Sequence, residues 1–154
     1  MSTAGKIRVL LGLLFVTLSF TAIVVESTYT PANNLIETAK ILENNLHDKE
    51  KLIYNSINNK QTFDEIKNLR NTPAKGLSYI NEFTVSKSIW IMVYKNGMLD
   101  FWSGAKVIPS DLNSIKEGCS FVKRQNGYYE TIRKTEGNTS IVFFITVKNN
   151  YPFT

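Results

Sequence analysis

The chain has 154 residues, of which 18 are Lys or Arg and 13 are Asp or Glu, for a net charge of +5. The charges are scattered, with no run of five like signs, so no nucleic-acid partner is expected. One Cys and one His exclude an internal disulfide, and no metal-ligand spacing is present.

The first predicted element is the uncharged run 9–25, VLLGLLFVTLSFTAIVV. As a helix it reaches roughly 25 Å, just enough to cross a hydrocarbon core. Lys6 and Arg8 flank its start, and no acid precedes it. The positive-inside bias therefore places residues 1–8 in the cytoplasm, 9–25 in the inner membrane and 26–154 outside. A cleaved signal peptide is the competing reading. Its best cut follows Ala22 and leaves the bulky Phe20 at the −3 position, and the apolar run is long for a signal. The uncleaved anchor is favoured over that reading, and a buried core helix comes third.

The exported part is long enough for one domain with a core. Removing Lys6 and Arg8 leaves it a net charge of +3. Thr30-Pro31 opens a helix running to about Asn59, with Leu35, Ala39, Leu42, Leu46 and Ile53 on one stripe and Lys49 in the skipped place. The stripe is expected to face the core, with Leu35, Leu42 and Leu46 also the candidate homodimer contact. Thr62 and Glu65 form a capping box for a second helix ending near Leu69 or Arg70. Residues 71–76 read as a loop, and 77–85 as a short helix or an irregular connection.

From Ser88 the period becomes alternating. Ile89, Ile91 and Val93 point one way, and Trp90, Met92 and Tyr94 the other. Asn96-Gly97 is a hairpin turn, which pairs Tyr94 with Leu99, Met92 with Phe101, Val93 with Asp100 and Ile91 with Trp102. Both faces are apolar at the far end, as in a sheet covered on both sides. Residues 104–118 are irregular, with a short helix expected to carry Leu112 and Ile115. A second turn at Asn126-Gly127 pairs Lys123 with Glu130 and Phe121 with Ile132, and a third lies at Gly137-Asn138. Cys119 is expected to be a buried strand thiol, and His47 a solvated helix residue. The apolar last strand is expected to be central. The class is α+β: a transmembrane helix continuing into a long helix, then a five-stranded antiparallel sheet with flanking helices.

No catalytic constellation is present. The chain has no HExxH, CxxC, P-loop, G-x-G-x-x-G or G-x-S-x-G, so no enzyme activity and no cofactor are expected of it. Asp48, Glu50, Asp64 and Glu65 read as solvated helix acids. Trp102, Lys123, Tyr129 and Arg133 are the candidates for a ligand pocket between the sheet and residues 104–118, with Tyr128, Tyr151 and Lys106 as further candidates. Sheet packing is the plainer explanation of the aromatics.

Residues 91–97 (IMVYKNG), Leu99 and Phe101-Trp102-Ser103 resemble the first sensor hairpin of bacterial membrane sensor histidine kinases. Phe121-Val122-Lys123, 126–129 (NGYY), 145–148 (ITVK) and Asn150-Tyr151-Pro152-Phe153 resemble later parts of the same module. The resemblance spans essentially the whole chain. It implies a PAS/Cache-like extracytoplasmic sensor in a two-component system, with its last strand beside its first. It also implies a membrane-anchored homodimer that answers an unknown small-molecule or protein ligand. Such kinases continue with a second membrane helix and a catalytic core. This sequence stops at Thr154 without a phosphoacceptor His motif or ATP-site motifs, so it is expected to be a fragment, a truncated gene product or a free-standing sensor. The alternative is a stand-alone anchored or secreted binding module that acts through a partner protein.

Overall fold

A computed structural model describes residues 3–28 and 31–149. Residues 150–153 of the resemblance, with Tyr151, and the Thr30 part of the first helix opening lie outside the described residues. The chain divides into two compact units, Met1–Glu43 and Asn44–Thr154.

Helix α1 spans Thr3–Thr28. Every large apolar side chain from Ile7 to Val25 is exposed, so the helix is apolar all round and buries none of it within the chain. Its hydroxyls are turned back on the backbone: Thr17 donates to the Leu14 carbonyl at 2.9 Å, Thr21 to Thr17 at 2.6 Å and Ser27 to Val24 at 3.0 Å. A helix that satisfies its own polar groups this way suits a medium without water. Thr3–Ser27 is long and apolar enough to cross a membrane, and a signal sequence has the same features.

Helix α2 spans Pro31–Asn58, in agreement with the predicted helix. Helix α3 spans Lys60–Lys67. Its cap is Asn59, whose side chain accepts from the Thr62 amide at 3.1 Å, so Thr62 lies inside the helix instead of capping it. A 3-10 turn at Leu69–Asn71 follows. The expected loop at 71–76 is mostly helix: α4, Pro73–Tyr79, starts with Pro at its first turn and runs into a π-helical turn at Ile80–Val85.

The strands are β1 Ile89–Lys95, β2 Met98–Trp102, β3 Gly118–Arg124, β4 Gly127–Glu136 and β5 Thr139–Asn149. All pairs are antiparallel and the order is β2-β1-β5-β4-β3, with the last strand beside the first as expected. β5 is buried on both faces from Thr139 to Ile145. On one face Ile89, Ile91, Val93, Ile132, Ile141, Phe143 and Ile145 pack against Ile53 and Ile57 of α2, Phe63 and Ile66 of α3, Leu69 and Phe83. On the other, Trp90, Met92, Tyr94, Tyr129, Val142 and Phe144 pack against Val107, Leu112 and Ile115 of the 104–118 insert. The double cover read from the hairpin is therefore present. Leu112–Ser114 is the short helix, capped by Asp111, whose carboxylate accepts from the Asn113 amide at 3.0 Å.

Two registers differ from the expected ones. At Asn96-Gly97 both residues take positive φ (52° and 77°) and Tyr94 faces Leu99 as predicted. Beyond it Val93 faces Phe101 and Met92 faces Trp102, leaving Asp100 in a bulge. Facing the fully buried Val93 would strand a carboxylate. In the bulge Asp100 instead reaches Lys95 at 2.9 Å and Arg70 at 3.0 Å, and these cations hold its carboxyl below its ordinary value. In the second hairpin the turn residues are Gln125-Asn126, since Arg124 faces Gly127. Lys123 thus faces Tyr128, Phe121 faces Glu130 and Cys119 faces Ile132. Asn126 is held elsewhere: its Nδ2 donates to the Lys106 carbonyl and its Oδ1 accepts from the Tyr129 hydroxyl. The third turn, Gly137-Asn138, is as predicted.

Candidate functional site

The residues proposed as a pocket lie in different parts of the sheet. Trp102 ends β2 and Lys123 lies on β3, the two edges of the sheet, about 19 Å apart at ordinary strand spacing. Lys123 places its Nζ 5.7 Å from the ring centroid of Tyr128. Tyr129 and Arg133 are both drawn to the insert. Tyr129 is fully buried, edge-on to Phe144 with centroids 6.2 Å apart. The Arg133 guanidinium donates to the carbonyls of Leu112 (3.1 Å) and Ile115 (2.7 Å) and pairs with Glu117 at 3.1 Å. It clamps the insert to the sheet, and those contacts occupy the donors an anion would need. Lys106 lies over the Trp90 ring at 5.0 Å.

The α2 stripe divides. Leu46 packs on the core, whereas Leu35 and Leu42 are exposed, at 69% and 42%. Ile36 and Ile41 beside them are also exposed.

A second constellation was not expected from the sequence. Cys119 is exposed, not buried, because β3 is an edge strand with only β4 beside it. Its thiol donates to Oε1 of Glu130 at 3.0 Å. Glu130, on β4 under α2, is 8% exposed and has the Glu50 carboxyl of α2 beside it. Donor atoms of Glu50, Cys119 and Glu130 all lie within 4.8 Å of one another. His47, one turn before Glu50, brings Nδ1 to 3.4 Å from its carboxylate. Among the described residues no Lys or Arg forms an ion pair with Glu130.

Burial, then Glu50 beside it, pushes the Glu130 carboxyl above its ordinary value. Desolvation, then the same carboxyl, pushes the Cys119 thiol up to about 12. Tyr54, one turn after Glu50, is raised by burial and by these acids. Two carboxyls and a thiol thus converge from three elements, in a setting that favours the protonated forms of Glu130 and Cys119.

No family model matches this sequence, and comparison with curated proteins and with solved structures returns no significant match. The reading of function rests on the chain itself.

The thiol–carboxyl site was hidden from the sequence by the second hairpin. The expected register gave Glu130 a partner in Lys123. The available signal was the alternation of β4, which sets Glu130 on the same face as Ile132.

Proposed function

We propose that this chain is the signal-sensing region of a membrane-bound two-component sensor histidine kinase. In this reading α1 anchors it in the cytoplasmic membrane and residues 26–154 form a PAS-like sensor outside. The observation that carries the proposal is the combination of three parts. One is a helix apolar on every side. Another is a long α2 beginning close after it. The third is a doubly covered sheet of order β2-β1-β5-β4-β3. Such a sheet is a rigid platform, and α2 contributes Ile53 and Ile57 to its core. A ligand that favours one packing of α2 on the sheet biases the helix, and the helix transmits the bias toward the membrane. The exposed Leu35 and Leu42 are the contact for a second copy, since their apolar surface is otherwise left in water.

The size of the native product tests the kinase reading. An antibody to residues 26–154 on source-cell membranes should detect a band several times larger than 17.5 kDa. A membrane band near 17.5 kDa would remove the kinase and leave an anchored module working through a partner. A smaller, soluble band would contradict the anchor.

A further inference from the structure

We propose that Glu50, Cys119 and Glu130 form a binding site for a thiophilic divalent cation of the zinc class, bridging α2 to the β3–β4 edge. The donor atoms come from a helix and two paired strands, yet all lie within 4.8 Å of one another. In a tetrahedral zinc site, ligands at ordinary bond lengths sit about 3.3–3.6 Å from each other, a spacing that falls inside that limit. The Cys119–Glu130 pair is already at 3.0 Å.

The second observation is Glu130 itself. Glu130 is 8% exposed, its Oε1 accepts from the Cys119 thiol at 3.0 Å, and among the described residues no Lys or Arg forms an ion pair with it. A buried carboxylate needs a cation or a proton. Three of the titratable groups around Glu130 are of metal-ligand type: Glu50, Cys119 and, further out, His47. His47 orients the Glu50 carboxylate, as partners of ligating carboxylates do. The exposed Cys119 side leaves entry for the ion and a position for water.

The thiol selects the ion. Thiolate with carboxylates suits zinc, cobalt or cadmium and disfavours magnesium and calcium, which take oxygen ligands alone. Binding releases the Cys119 thiol proton to solvent, and no electron moves. The groups facing the site are Glu50, His47 and Tyr54 on α2, Cys119 on β3 and Glu130 on β4. Affinity therefore rises with pH.

The test uses the full chain, untagged, in detergent. Zn²⁺ is titrated against a chromophoric chelator, and Co²⁺ is followed by its thiolate charge-transfer absorption. The expected result is one ion per chain, tighter at higher pH. Cys119→Ser should abolish the charge-transfer band, and Glu130→Gln should weaken Zn²⁺ by at least ~10-fold. Glu50→Gln, on a half-exposed helix position, should do the same without disturbing the core. Absence of stoichiometric binding overturns the proposal, as does binding that Cys119→Ser and Glu50→Gln leave unchanged. Neither result bears on the sensing reading, which the native size decides.

Discussion

At Glu130 a carboxyl sits between β3 and α2 at a position where alternation calls for an apolar side chain. Its pKa is raised in the folded chain, first by burial and then by Glu50, so folding favours the protonated form. The unfolded chain releases that proton near pH 4.3, the ordinary glutamate value, roughly. Stability from that proton is therefore complete below that pH and is lost as pH rises through the raised value. Without added metal, denaturant unfolding should show stability falling with pH across this window, and Glu130→Gln should flatten the slope. Cys119 supplies a second check. With the thiol pushed up to about 12, maleimide should label it far more slowly at neutral pH than an ordinary exposed cysteine, despite its exposure. Glu130→Gln should speed the labelling, and an unchanged rate would mean that the carboxyl does not control the thiol.

Elements were legible where local pattern and tertiary demand agreed. The alternation of β1, the Asn96-Gly97 turn and the apolar run 141–145 of β5 each called for the structure found, because both covered faces want the same side chains. Register was legible only until a charge met the core. Asp100 broke the first hairpin because a carboxylate opposite Val93 has no partner, and Lys95 with Arg70 offered two. Asn126 moved from the first to the second turn position, where the insert and Tyr129 engage its amide. Such long-range hydrogen bonds leave no periodic trace in the sequence. The thiol–carboxyl site was unreadable for the same reason, its members being drawn together by the packing of α2 on β3 and β4.

Arg133 shows the cost of holding the insert. Arg133→Ala leaves two carbonyls without their charged donor and should destabilise by about 2 kcal/mol, with faster amide exchange in residues 112–115. Gly127 has a different constraint. A Cβ there would collide with the backbone carbonyl of Lys148. Gly127→Ala should therefore lower the unfolding midpoint by an amount equivalent to about 1–3 kcal/mol. A neutral result in either case would remove the corresponding contact from the account.

For the whole molecule, the apolar surfaces left uncovered among the described residues include α1 from Ile7 to Val25 and the α2 positions Leu35, Ile36, Ile41 and Leu42. These two are the ones the proposal assigns. The membrane is proposed to cover the first and a second copy the second. Leu42→Asp should convert a detergent-solubilised dimer to monomer, as read by light scattering, and a persisting dimer would move the contact elsewhere. The most direct test of the central proposal is the side of the membrane on which the sheet lies. Lys116, exposed in the insert, is changed to Cys in a Cys119→Ser background, and intact bacterial cells are treated with a membrane-impermeant maleimide. Labelling in intact cells of a protein retained in the membrane fraction is the result expected of an anchored extracytoplasmic sensor. Labelling only after the cells are broken would place the sheet in the cytoplasm and contradict it.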